Sequence, residues 1–164
     1  MSPAFMRASL SGDLAVASQL LGAALPSTWP GPAARTLRRR LDQLAPDPSL
    51  QPWLLRAMVL RAPKPRLVGR IGFHAAPDPR GALEVGYAVE PTDRRQGFAL
   101  EAVRALFAWA HANYAITHFV ASVSPTNVPS LALVRRLGFV QMGSQWDDED
   151  GEELVFELDV GSAQ

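Results

Sequence analysis

The stretch EPTDRRQGFALEAV, residues 90–103, leaves an apolar, strand-like run and enters a strongly helical one. Its turn carries Arg94, Arg95 and Gly97, although a helix start ordinarily favours a carboxylate because the exposed N–H groups there are partly positive. A glycine at this place lets main-chain N–H groups approach a ligand closely, and two arginines add charge-assisted bonds. The stretch therefore predicts a binding site for an anion such as phosphate. The alternative is a solvated strand-to-helix turn with two exposed arginines.

Composition points to one ordinary globular domain. The 164 residues are 48% hydrophobic and 20% charged, with a formal net charge of zero, which argues against nucleic acid or an anionic membrane as partner. Cysteine is absent and the three histidines lack zinc-ligand spacing, so no metal is expected. No run approaches the ~20 apolar residues of a membrane span, and the first residues do not resemble a signal peptide. We therefore expect a cytoplasmic protein.

Hydrophobic spacing and chain breakers predict the order of the elements. Helices are expected over 13–25, 33–44, 97–114 and within 127–139, and strands over 53–62, 66–75, 82–90, 118–123, 139–146 and 153–160. Strand–helix–strand units imply parallel pairing and hairpins imply antiparallel pairing, so the sheet is predicted to be mixed. The 97–114 helix is apolar almost all round, which predicts burial on more than one side. In the 33–44 helix, Arg38, Arg39 and Arg40 are expected on the solvated face.

Three motifs in this order resemble those of the GNAT superfamily of N-acetyltransferases. RRQGFA matches the Gln/Arg-x-x-Gly-x-Gly/Ala signature, with Arg94, Gly97 and Ala99 at its defining positions. NVPSLALVRRLGF is similar to the second cofactor segment, Asn-x-x-Ser followed by Leu-Gly-Phe. LEVGYAVEP resembles the ribosomal-protein N-terminal acetyltransferase branch, the Rim-type enzymes. The resemblance covers roughly residues 67–158.

The resemblance implies an α/β fold of the α+β mixed-sheet kind. A central, mostly antiparallel twisted sheet would contain a parallel, splayed strand pair, here about 82–89 and 118–123, with helices on its flanks. We expect a single acetyltransferase domain over residues 1–164. Residues 1–66 would supply acceptor-side helices and the first strands, and residues 67–160 would form the acetyl-CoA-binding core.

Acetyl-CoA is the cosubstrate that the resemblance implies, because family members pass its acetyl group directly to an amine. N–H groups of residues 96–100 would hold the pyrophosphate, and the N–H of Val89 would face the thioester oxygen. Asn127 would contact the cofactor with its side chain, or it is a plain helix cap. The predicted cofactor-binding residues are Tyr87, Ala88, Val89, Arg94, Arg95, Gln96, Gly97, Phe98, Ala99, Leu100 and Asn127.

Direct transfer needs a neutral amine and a proton for the departing thiolate. Glu84 is the candidate base, since it is a charge in an otherwise apolar strand; a wet-face glutamate is the alternative. His74 is expected beside it, in a structural role or in contact with the acceptor. Many family members use a tyrosine seven residues after the asparagine as acid, but Val134 stands there. Ser130, which the Rim-type branch carries three residues after the asparagine, is the candidate acid or a plain helix-terminus residue.

The sequence thus predicts acetyl transfer from acetyl-CoA to a primary amine, either a protein N-terminus or a small-molecule amine. Val134 keeps a second hypothesis open, a CoA-binding sensor or interaction domain without turnover. A third hypothesis, nucleic-acid binding through the arginines of residues 35–40, is disfavoured by the zero net charge. An edge strand such as the last one could pair with a second copy to form a homodimer.

Overall fold

A computed structural model of the chain describes residues 1–149 and 151–161. The helices of this part are α1 (Pro3–Ser11), α2 (Leu14–Leu21), α3 (Ala33–Leu44), α4 (Phe98–Tyr114) and α5 (Val128–Leu137). The strands are β1 (Arg56–Leu60), β2 (Arg66–Phe73), β3 (Ala82–Val89), β4 (His118–Val123), β5 (Val140–Asp147) and β6 (Gly151–Asp159). They form one sheet in the order β1-β2-β3-β4-β6-β5. The β3–β4 pair is parallel, whereas β1–β2, β4–β6 and β5–β6 are antiparallel, which confirms the predicted mixed sheet.

The parallel pair separates soon after it begins. Ala82, Leu83 and Glu84 of β3 are in register with His118, Phe119 and Val120 of β4. Beyond these pairs β3 continues to Val89 and β4 continues to Val123. The strands therefore part as expected for 82–89 and 118–123, and the remaining main chain of β3 is left to bond elsewhere.

Two compact units share these elements. The first combines Met1–Gly72 with Tyr87–Phe98, and the second combines Phe73–Gly86 with Ala99–Gln164. The core of the first unit is made by apolar side chains of α1, α2, α3, β2 and the intervening loops: Phe5, Met6, Ala17, Trp29, Ala33, Leu37, Leu44, Leu54, Leu55 and Leu67. Within it the indole Nε1 of Trp29 donates a 2.9 Å hydrogen bond to Ser9 Oγ, so these buried polar groups satisfy each other.

The core of the second unit is a stack of phenylalanines. The rings of Phe107 on α4 and Phe119 on β4 are nearly parallel, with their centroids 3.8 Å apart. Phe73 lies 6.4 Å from Phe107 and 6.2 Å from Phe119, and Phe139 tilts against Phe107 at 6.0 Å. Aromatic rings bury large areas, so this stack holds α4 against its strands.

Helix α4 buries one face, so the prediction of burial on several sides was wrong. Phe107 and Ala110 are buried, whereas Ala105 and Ala108 are exposed and Tyr114 is 46% exposed. Alanine is the strongest helix former and exposes little apolar area, so it is tolerated on the solvent side. An apolar composition therefore overstated the burial of this helix.

The first helices also differ from the sequence prediction. Helix α1 was not predicted; Ser2 caps it by accepting a hydrogen bond from the N–H of Phe5. Asp13 caps α2, since its Oδ1 accepts a 3.1 Å hydrogen bond from the N–H of Val16, but α2 ends at Leu21 rather than at the predicted residue 25. Gly22 follows with φ 70°, a left-handed conformation that stops a helix.

Arg40 is buried, contrary to the expectation that it faces solvent with Arg38 and Arg39. It is 5% exposed and donates to Gln43 Oε1 at 2.6 Å. Its position, three residues after Leu37 and four before Leu44, is on the buried stripe of α3. Arg38 and Arg39 are exposed as predicted.

The last two predicted strands form the antiparallel β5–β6 hairpin, but little of it is buried. Among the alternating apolar residues Leu154, Phe156, Leu158 and Val160, only Phe156 is fully buried, and Val160 is 41% exposed. Strand β5 is at the end of the sheet order, and its residues 140–146 are all exposed. An outermost strand has a neighbour on one side only, which reduces burial.

We predict that Phe119→Ala destabilises the protein by about 3–5 kcal/mol, because it removes a fully buried ring of the stack and leaves a cavity. Chemical denaturation measures the loss. The matched control is Trp146→Ala on β5, where the side chain is 76% exposed, and its effect should stay within about 0.5 kcal/mol. Equal losses in the two variants would contradict the assignment of the stack as the core.

Candidate functional site

The connection from β3 to α4 is a tight turn with two left-handed residues. After a short 3-10 turn, Pro91–Asp93, the chain passes through Arg95 with φ 63° and Gly97 with φ 87°, and α4 begins at Phe98. A Cβ placed on Gly97 would meet no atom of the described residues within 4 Å. The glycine is therefore required by the backbone conformation, and the space beside it is open.

The predicted anion-binding residues lie consecutively around this turn. Arg94, Arg95, Gln96 and Gly97 are exposed, and Phe98, Ala99 and Leu100 are half-buried in the first turn of α4. The first N–H groups of a helix have no carbonyl partner within it, and their dipoles favour a negative charge. The one acidic residue of this first helical turn is Glu101, which is exposed. The turn therefore presents N–H donors and two guanidinium groups to solvent.

A buried carboxylate lies at the start of this positively charged turn. Asp93 is 3% exposed, and its two oxygens accept hydrogen bonds from the guanidinium of Arg66, at 2.6 and 2.8 Å. These bonds, against the opposing effect of burial, hold the pKa of the Asp93 carboxyl below its ordinary value. Because the folded pKa is depressed, the stabilising effect is complete above the unfolded pKa of about 3.9 and is lost as the pH falls through the folded pKa. The pair is therefore ionised at neutral pH.

The end of β3 carries the other segment predicted to bind the cofactor. Tyr87, Ala88 and Val89 are half-buried. The guanidinium Nε of Arg94 donates to the carbonyl oxygen of Val89 at 3.2 Å. The Nε of Arg94 therefore donates to the main chain at the end of β3. The two terminal nitrogens of the guanidinium do not take part in this hydrogen bond.

Glu84 and His74 are neighbours across the β2–β3 hairpin, as predicted. The N–H of His74 donates to the carbonyl of Glu84 at 2.9 Å, and His74 Nδ1 lies 3.5 Å from Glu84 Oε1. Both side chains are about one-third exposed, at 38% and 33%. A Cβ added to Gly86 would lie 2.5 Å from His74 Nε2, so the imidazole occupies the space that any larger residue would need. This places a carboxylate and an imidazole together where solvent and a small ligand can reach them.

The start of α5 places two further predicted residues. Asn127 is the helix cap: its Oδ1 accepts a 3.3 Å hydrogen bond from the N–H of Ser130, which leaves the amide nitrogen as a donor. Ser130 is half-buried in the first turn of the helix. Val134 is 1% exposed and apolar, so its side chain donates no proton. Gly138 ends the helix in the left-handed conformation, with φ 91°.

The residues that the structure describes contain neither a metal site nor a helix that could span a membrane. Over residues 1–149 and 151–161, the His, Asp and Glu side chains form no group of three or more suited to a metal ion. Each helix in these residues is too short or too polar to cross a bilayer.

Three residues of this site were missed at the level of sequence. Asp93 and Arg66 are separated by 26 residues of chain, and only the pairing of β2 with the end of β3 brings them together. The signal that was available is Asp93 itself, a lone carboxylate beside two arginines in a turn. Gly86 gave no signal, because its role depends on where the His74 ring lies.

Comparison with known protein families gives a match over most of the chain. The family model of the acetyltransferase (GNAT) domain matches residues 12–140. The uncharacterised N-acetyltransferase p20 of Bacillus licheniformis is 29% identical over 120 residues, which cover 73% of this chain and 67% of its own length. The uncharacterised N-acetyltransferase YjdG of Bacillus subtilis is 32% identical over 74 residues, which cover 45% of this chain. The match spans 44% of that relative's own length.

Solved structures share the fold over nearly the whole chain. The ribosomal-protein-S5-alanine acetyltransferase of Vibrio fischeri superposes with a TM-score of 0.65 at 14% identity, covering 100% of this chain and 92% of that one. The microcin C7 self-immunity acetyltransferase MccE, solved in complex with acetyl-CoA and AMP, superposes with a TM-score of 0.60 at 13% identity, covering 94% and 88%. At these identities the likeness establishes the fold.

We predict that Arg95→Gly is more stable than Arg95→Ala by about 1 kcal/mol, because alanine keeps the cost of a left-handed backbone and glycine does not. Both changes remove the same charge, so their difference isolates the backbone. The control is the same pair of changes at Arg94, where φ is −68° and glycine should be the less stable variant. Chemical denaturation of the four variants measures both differences, and equal stabilities at position 95 would contradict the strained turn.

Proposed function

The chain belongs to the GNAT family of acetyltransferases, enzymes that transfer an acyl group from acetyl-CoA, and we propose that it acetylates a primary amine by direct attack. The observation that carries this proposal is the open bend at Gly97, with φ 87° and free space beside it, at the start of the 17-residue helix α4. A phosphate or diphosphate is an anion that such a helix start can accommodate.

The turn and the end of β3 are the proposed cofactor site. Main-chain N–H groups of residues 96–100 would hold the pyrophosphate of acetyl-CoA, with Arg94 and Arg95 adding charge-assisted bonds. The pantetheine arm would pair with the main chain of Tyr87, Ala88 and Val89, where β3 has already parted from β4. The amide nitrogen of Asn127 is a further proposed donor to the cofactor, since its oxygen is used in the helix cap.

Starting from the ammonium form, acetyl transfer removes two protons from the nitrogen and supplies one to the thiolate. A primary amine with a pKa near ~10 is mostly ammonium at neutral pH, so Glu84, alone or through water, would take the first proton. The nitrogen lone pair attacks the thioester carbon, and the N–H of Val89 would stabilise the oxyanion. As the C–S bond breaks, the CoA thiolate leaves and takes a proton from Ser130 or from water, and the second proton of the nitrogen replaces it. His74, held between Glu84 and Gly86, would orient the carboxylate or contact the acceptor.

The acceptor is either a protein N-terminus or a small-molecule amine. A solved protein of the same fold is named a ribosomal-protein-S5-alanine acetyltransferase, which supports a protein as one acceptor class. The exposure of Glu84 and His74 supports either class, because a chain terminus and a free amine can both reach a one-third exposed carboxylate.

A CoA-binding domain without turnover is the second candidate. The observation that favours it is Val134, a buried aliphatic residue where many family members carry a tyrosine acid. A sensor would bind acetyl-CoA and release no thiol with any amine. An enzyme would release CoA in proportion to acetylated product.

We predict that acetyl-CoA raises the melting temperature of the native protein and that Gly97→Glu abolishes this shift. The glutamate would place a carboxylate where the diphosphate docks and would force a side chain into a left-handed position. Gly81→Glu is the matched control, because Gly81 has φ 79° and equally open surroundings but lies in the β2–β3 turn. If the native protein shows no shift, or if Gly97→Glu shifts as the native protein does, the proposed cofactor site is wrong.

We predict that Glu84→Gln lowers kcat on the order of 10²-fold or more, because the amide cannot accept the amine's proton. Release of CoA thiol is followed over pH with three acceptors: a peptide with a free N-terminus, the same peptide N-terminally blocked, and a polyamine. Glu152→Gln, an exposed carboxylate on β6, is the control and should leave the rate unchanged. A normal rate and pH profile in Glu84→Gln would rule out this base.

A further inference from the structure

We propose that Arg66 and Asp93 are positioning residues that anchor the turn of residues 91–97 to strand β2 and keep it in the conformation that receives the diphosphate of acetyl-CoA. This inference rests on the proposed cofactor site at Gly97. It assigns a function to an ion pair whose carboxylate is buried and whose groups take no part in the proposed acetyl transfer.

The anchor is bonded at several points. Both oxygens of Asp93 accept from the Arg66 guanidinium at 2.6 and 2.8 Å, and Thr92 Oγ1 donates to Asp93 Oδ2 at 3.2 Å. The N–H of Asp93 donates to the Glu90 carbonyl, and the N–H of Glu90 donates to the Val68 carbonyl of β2, each at 2.9 Å. The start of the turn is therefore tied to β2 through a side-chain fork and through the main chain.

The turn needs an anchor because its backbone is strained. Arg95 has φ 63°, and for a residue with a Cβ this left-handed conformation is unfavourable. Such conformations persist where the surrounding structure determines them. Asp93 lies two residues before Arg95 and is 3% exposed, which makes it the closest buried fixed point in the turn.

A positioning role and a purely electrostatic role predict opposite effects of Asp93→Asn. Asp93 is a negative charge four residues before Gly97, so its removal should strengthen the binding of an anion if charge alone mattered. If the carboxylate acts by holding Arg66 and the turn, its removal should weaken binding although the protein becomes more positive. The sign of the change therefore decides between the two roles.

The experiment measures the affinity for CoA by calorimetry at pH 7 in the folded full-length chain. Asp93→Asn should weaken binding by about tenfold or more, because small displacements of a preorganised site are costly. Arg66→Lys, which keeps the charge but loses the fork, should show a smaller loss in the same direction. The control is Asp78→Asn, which removes one of the two carboxylate partners of Arg80 in the β2–β3 turn and should leave CoA affinity unchanged.

A double-mutant cycle tests the link to the strained residue. In an Arg95→Gly background the left-handed backbone is free of strain, so adding Asp93→Asn should cost less than about threefold in CoA affinity. In steady state, Asp93→Asn should raise the KM for acetyl-CoA and leave kcat and the KM for the acceptor amine unchanged. General destabilisation of the fold would not produce this selective pattern.

The outcomes separate this inference from the proposed function. If the native chain does not bind CoA, the proposed cofactor site fails and this inference fails with it. If the native chain binds CoA and folded Asp93→Asn binds equally or more tightly, the inference alone is overturned. Should Asp93→Asn fail to fold, Arg66→Lys provides the measurement, and unchanged CoA affinity in that variant would likewise overturn the inference.

Discussion

The backbone N–H groups that open α4 have no carbonyl partners within the helix, and the proposed cofactor site depends on leaving them free for an anion. Gly97 makes this possible, since it turns the chain with φ 87° and adds no side chain to the space beside the N–H groups. Helix α4 is held in turn by the Phe107–Phe119 stack within its own unit. The proposed cofactor site therefore combines a glycine without a side chain just before α4 with dense aromatic packing along the helix.

The charges around this turn are arranged in two layers. Arg94 and Arg95 are exposed and available to a phosphate, whereas the Asp93 carboxylate is buried and neutralised by Arg66. A carboxylate so close to an anion site would repel the ligand if it were exposed and unpaired. Because the Asp93 carboxylate is buried and bonded by both oxygens to Arg66, it stabilises the turn instead. The conformation of the turn then depends on a residue from β2.

A different glycine, Gly86 on β3, makes room for a neighbouring side chain. Gly86 leaves space for the His74 imidazole, which in turn lies 3.5 Å from Glu84. The pairing of β3 with β4 ends at Glu84, so the carboxylate lies where the strand's main chain begins to be free. Strand pairing, its early end and one missing side chain together determine the surroundings of the proposed base.

The sequence alone predicted those structural features whose physical cause lies within one short segment of the chain. The caps at Asp13 and Asn127, the helix end at Gly138, the hairpins and the turn at Gly97 each follow from adjacent residues, and the motifs around Gly97 identified the family. Contacts between distant segments could not be obtained this way. The pairing of Arg66 with Asp93, the burial of Arg40 and the one-sided burial of α4 depend on which surfaces meet, because burial is a property of neighbours in space and not of neighbours along the chain.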